Sequence, residues 1–180
     1  ARISQDEGLD EPDTIDLLRR SEALLAYVTR VHSTSTDHDK RTPAPHGIDA
    51  IVRGATTSDG IDLPSAAQVY SEAKWAFSNP YRGSELTLKI LEPGGFLPGE
   101  WYDDDAARSR LASIVEAARD ASEVTATQAA GLAAGCLCTT AESDDGAWLA
   151  RLLSGDPAQS LAEPTVGGLL WQFGRLVATA

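Results

Sequence analysis

The sequence predicts a mainly α-helical protein: a bundle of about five or six helices with one short β-strand or hairpin and a long polar loop. Three observations predict it. Apolar residues recur at helical spacing in several separate stretches, a single stretch alternates with period two, and the segment from His32 to Leu63 loses periodicity altogether. With 42% hydrophobic residues in 180, the chain can bury a real core.

Residues 1–12 read as a flexible acidic arm, polar and without the apolar run of a secretory signal. The first helix is expected from about Asp13, behind Pro12, with Asp16 near the positive end of the helix dipole. Leu17, Leu18, Leu24, Leu25, Val28 and Val31 make its apolar face, while Arg19, Arg20, Glu22 and Arg30 fall largely opposite. The run STSTDHDKRTPAPHG that follows is built of turn formers and solvating residues. Ile48, Ile51 and Val52 suggest a short packed piece before the loop GATTSDG. So long a connection points to a partner-contacting or mobile segment.

A second helix opens at Pro64, with Asp62 placed to cap it, and carries Ala66, Val69, Tyr70, Ala73, Ala76 and Phe77 on one stripe. Asn79-Pro80 stops it. In SELTLKILEPGG, Leu86, Leu88 and Ile90 alternate with Glu85, Thr87 and Lys89, which predicts a strand over 84–92. Asp103 to Asp105 then launch a third helix whose Leu111, Ile114, Val115 and Ala118 face the core. Past Ser122 the small residues of ATQAAGLAAGCLC suit close helix packing, and further helices are expected near 144–154 and 164–178. The expected organisation is the arm at 1–12, a helical domain at 13–121, and a C-terminal helical extension or subdomain at 122–180.

The net charge of −12 repels phosphate backbones, so sequence-specific nucleic-acid binding is not expected. No stretch approaches the apolar length of a membrane span. Lys40, Lys74 and Lys89 are the only lysines beside twelve arginines, as a GC-rich genome would produce, and Asp outnumbers Glu, an excess that salt adaptation would add.

The residues that carry chemistry elsewhere form no recognised pattern here. There is no phosphate-binding glycine loop, dinucleotide fingerprint or nucleophile elbow. His32, His38 and His46 lie in or beside the polar loop, where the plain expectation is solvated imidazoles. His38, flanked by Asp37 and Asp39, is the one that would lead a metal site, with His46 joining it, but nothing in the spacing holds such ligands rigid. Cys136 and Cys138 are too few for a disulfide framework. Two apart in a helix, they would point to different sides, as buried thiols. Asp103 to Asp105, and likewise Asp144-Asp145, read as helix starts rather than cation sites. The expectation is therefore no catalytic residue, no metal and no cofactor. The C-terminal GGLLWQFGRLVATA is dense in apolar side chains, and its Leu169, Leu170, Trp171, Phe173, Leu176 and Val177 either pack back on the core or dock on a partner.

The order of features over about 13–118 resembles the head-to-tail connector (adaptor) proteins of long-tailed phages and related tailed viruses. It runs DLLRRSEALLAYVTRV, the polar loop to Leu63, LPSAAQVYSEAKWAFSNPYRG, SELTLKILEPGGFL and DDDAARSRLASIVEAA. The most specific piece is Pro64 to Gly83, the first loop is longer than the pattern asks, and residues after about 122 have no counterpart in it. The resemblance implies a structural, non-enzymatic virion component in the neck, made in the host cytoplasm. It implies a homo-oligomeric ring, usually of about twelve copies, beneath the portal protein and above the next tail-proximal connector. Leu169 to Val177 would then face the portal, and Leu86, Leu88 and Ile90 would meet ring neighbours. Two other classes stay open. One is an acidic partner-binding protein of the immunity-protein or secretion-chaperone kind, steered to a basic partner. The other is a small helical metal-dependent enzyme using the loop histidines with Asp103 to Asp105.

Overall fold

The computed structural model describes residues 2–72 and 111–140, together with Leu86, Leu91, Glu92, Gly99, Ser143 and Ala147. It is mainly helical, with one small antiparallel sheet of two strands. In chain order the elements are α1 (Arg2–Glu7), α2 (Glu11–His32), α3 (Ile48–Gly54), β1 (Gly60–Asp62) and α4 (Leu63–Glu72). They continue with α5 (Leu111–Asp120), β2 (Glu123–Thr125), α6 (Ala126–Gly131), a 3₁₀ turn at Ala133–Gly135, and α7 (Leu137–Thr140).

Among the described residues, α2 is the central helix. Asp10 caps it by accepting from the Asp13 N–H at 3.0 Å, and Pro12 sits in its first turn, where no N–H is needed. Ala23, Leu24 and Val28 are fully buried, and α3, α4, α5 and α6 all pack around the helix. They contribute Ile51, Ala66, Ile114, Ala118 and Ala129 to one continuous core. The alanines let α4, α5 and α6 approach α2 closely. Val124 and Ala129 belong to the same core as Leu24, so the stretch just beyond the expected boundary at 121/122 packs with the preceding helices.

The sheet lies where the sequence reading expected no strand: β1 falls at the end of the expected loop and β2 just past Ser122, in the expected helical extension. β1 and β2 pair in the register Gly60↔Thr125, Ile61↔Val124 and Asp62↔Glu123. Ile61 and Val124 sit opposite one another in the core. The pairing continues into flanking contacts, from the Leu63 N–H to the Ser122 carbonyl and from the Ala126 N–H to the Asp59 carbonyl, each 2.9 Å. The strands are too short for a period-two signal to stand out, and their stability comes from the core beneath.

Three further expectations differ. The arm expected at 1–12 contains helix α1, with Ser4 buried and Glu7 ion-paired to Arg119 of α5. Arg20, expected on the solvent side, is half-buried and donates to the Ala121 carbonyl, with its Nε enclosed. Within the strand expected over 84–92, Leu86 is helical and Leu91 takes a bridge conformation, while residues 84, 85 and 87–90 lie outside the described residues. Leu88 and Ile90, Asp103 to Asp105, and the C-terminal residues Leu169, Leu170, Trp171, Phe173, Leu176 and Val177 lie outside the described residues. Among the described residues, no helix is long and apolar enough to cross a membrane.

Candidate metal centre at the end of α2

His32 is the last residue of α2 and falls four residues after Val28, which itself falls four after Leu24. It therefore continues the buried stripe of the helix rather than pointing to water. Its exposure is 8%. The polar loop then folds back over the helix end. The Ser35 N–H donates to the His32 carbonyl at 2.8 Å, and the Lys40 ammonium donates to the Ser33 and Ser35 carbonyls at 3.1 and 3.3 Å. A cation there suits the negative end of the dipole. These bonds curl the loop so that His38 returns to the protein, 7% exposed.

The cysteines arrive from the other half of the chain. The 3₁₀ turn ends at Cys136, whose backbone is extended (φ −60°, ψ 145°), and α7 starts at the next residue. This break places Cys136 and Cys138 toward one site, where an unbroken helix would have separated them. The Leu137 N–H donates to Thr29 Oγ1 of α2 at 3.3 Å and fixes the segment against the helix end.

The result is a compact group of two imidazoles and two thiols, every ligand atom within 4.8 Å of the others. Cys136 Sγ lies 3.8 Å from His38 Nδ1, and Cys138 Sγ lies 3.4 Å from His32 Nδ1. The two rings meet edge to face with centroids 5.3 Å apart. His32 Nε2 faces outward to Asp37 Oδ1 at 3.5 Å. The Cys138 N–H points at Cys136 Sγ, 3.5 Å away. Burial pushes the Cys136 thiol up from its ordinary value. The two carboxylates around His38 are held down, Asp37 by the Ser35 hydroxyl and Asp39 by the Arg41 guanidinium, the latter to about 2. Negative charge thus stands at the rim while the donors are inside.

The sequence reading placed His32 and His38 in solvent and the two thiols apart, and both placements are corrected here. His46, the other histidine weighed beside His38, is exposed, as the sequence reading expected, and lies outside the group. The signal for His32 was in the sequence, as an imidazole in phase with Leu24 and Val28. Its partners were not, because a Cys-x-Cys some hundred residues away carries no local mark of the fold-back that brings it home. Beside the group is a recess of about 190 Å³, lined by Thr29, Arg30, His38, Lys40 and Pro43. That is smaller than an ordinary small-molecule site of about 300–1,000 Å³. No family model, curated protein or solved structure matches this chain.

Proposed function

We propose that the chain is a structural virion component, a head-to-tail adaptor that forms a ring beneath the portal protein and extends the DNA channel toward the next tail-proximal connector. The observation that carries the reading is the order of elements. The long helix Glu11–His32 precedes an extended polar connection, the Pro64-bearing helix Leu63–Glu72 follows with Asp62 as its cap, and a late helix Leu111–Asp120 closes against the first. These are three of the features on which the resemblance rests; the Asn79-Pro80 stop and most of the extended segment after it lie outside the described residues.

The charge supports it physically. At −12 per copy, a ring of many copies would surround passing DNA with a field that repels phosphate and would not grip it. The same field accounts for the absence of any expectation of specific nucleic-acid recognition. In this reading no residue is catalytic. The apolar C-terminal residues Leu169, Leu170, Trp171 and Phe173 meet the portal, and the chain acts in the neck of the particle.

Electron microscopy of purified portal rings incubated with the full chain tests the proposal. The expected image is an added collar coaxial with the portal channel, lost when Leu170 and Trp171 are both replaced by Asp. Portal rings whose side views are unchanged at saturating chain would overturn it and leave the acidic partner-binding protein as the better reading.

A further inference from the structure

We propose that His32, His38, Cys136 and Cys138 bind one zinc ion in a closed structural site that fastens the polar loop and the segment after α6 to the end of α2. The assignment is independent of the adaptor reading. It rests on donor chemistry and distances. Two imidazole nitrogens and two thiolates are a complete tetrahedral set for zinc, the metal that such mixed nitrogen and sulfur ligands select.

The spacing fits one ion. With bonds of about 2.3 Å to sulfur and about 2.0–2.1 Å to nitrogen, a tetrahedral centre holds its sulfur and nitrogen ligands about 3.6 Å apart. The two Sγ···Nδ1 separations here, 3.8 and 3.4 Å, straddle that value. A two-iron cluster would spread its ligands over two metals and demand a wider group than the 4.8 Å seen. The five residues between His32 and His38 also match the histidine spacing of small zinc modules.

The surroundings are those of a ligand set. Nδ1 of His32 faces the thiol, so Nε2 is the nitrogen left to hold a proton, and it points to the Asp37 carboxylate. That is the carboxylate–histidine arrangement that fixes the tautomer of a metal-bound imidazole. The Cys138 N–H directed at Cys136 Sγ would offset thiolate charge. Both histidines and Cys136 are buried, and Cys138 is half-buried. With four protein donors, no position is left for substrate, which makes the site structural rather than catalytic. Binding converts both thiols to thiolates and releases their protons to solvent. Its consequence is topological: residues 32 and 38 become joined to residues 136 and 138 across most of the described chain, a closure that restricts the unfolded state.

The test is metal analysis of the full chain, purified without chelator and without a metal-affinity step. The expected result is about one zinc per chain by mass spectrometry of the elements. Replacement by cobalt(II) should give the visible bands of a tetrahedral ion together with a thiolate-to-cobalt charge-transfer band. Chelation should lower Tm by roughly 10 °C. His38→Gln and Cys138→Ser, at the loop and the half-buried thiol, should each weaken the cobalt spectrum about tenfold or more at limiting metal. Should either variant fail to fold, the wild-type zinc content and cobalt spectrum decide alone. The proposal is overturned by a reduced wild-type chain that takes up neither zinc nor cobalt, by a Cys136–Cys138 disulfide in the purified protein, by stoichiometric copper or iron in place of zinc, or by a cobalt spectrum unchanged in a folded His38→Gln variant.

Discussion

Gly60 occupies a position where a methyl group would overlap the Val124 carbonyl of the facing strand, so only glycine permits the close pairing of β1 with β2. Gly60→Ala should cost about 1–3 kcal/mol, the range of an overpacked core, read as a lower urea midpoint at unchanged m-value. Gly47 is constrained twice over. It has φ +79° where α3 begins, and a Cβ there would press on the ring of Tyr70. Asp62 carries a pH dependence. The Ser65 hydroxyl and N–H hold its carboxyl below the ordinary value. A depressed pKa contributes stability above the unfolded-state value and loses it as pH falls through the folded one. The stability gap between wild type and Asp62→Asn should therefore narrow as pH drops below about 4, measured as paired Tm values. A gap that widens toward acid would contradict the capping role.

Elements reveal which parts of the fold can be read before folding. α2 was legible because Leu17, Leu24 and Val28 repeat at the helical period, although its start, expected near Asp13 behind Pro12, lies at Glu11 with Asp10 as the cap. α4 was legible from Asp62 and Pro64, and α5 from Ile114 and Ala118. α6 carries a signature that the reading passed over, the Thr125-x-x-Gln128 capping box, with the Thr125 N–H donating to Gln128 Oε1 at 2.8 Å. Thr125→Ala should remove it for about 1 kcal/mol, visible as earlier hydrogen exchange in Ala126–Gly131 than elsewhere in the core. The sheet and the His–Cys group were not legible, for one physical reason. Both form between segments about sixty to a hundred residues apart, and short-range periodicity holds no information about which distant segments meet. Only the in-phase placement of His32 on α2 hinted that the polar loop would return to the protein.

At the scale of the whole molecule, the described residues share one core built on α2 that runs from Ala23 to Ala129, and the Glu7–Arg119 pair and the β1–β2 ladder join early and late segments. Leu24 lies at its centre and is fully buried. Leu24→Ala should cost about 2–5 kcal/mol and shift a single unfolding transition for probes placed in the described helices, since they share one core. In the proposed adaptor, the ring would spread the charge of −12 per copy around the channel. The measurement that decides is the mass of the chain by light scattering with size exclusion, in low and molar salt, with and without portal rings. The expected result is a portal-bound species heavier than portal by about twelve copies of the 19.0 kDa chain, persisting in molar salt where charge is screened. A portal peak of unchanged mass beside a free 19.0 kDa monomer would contradict it.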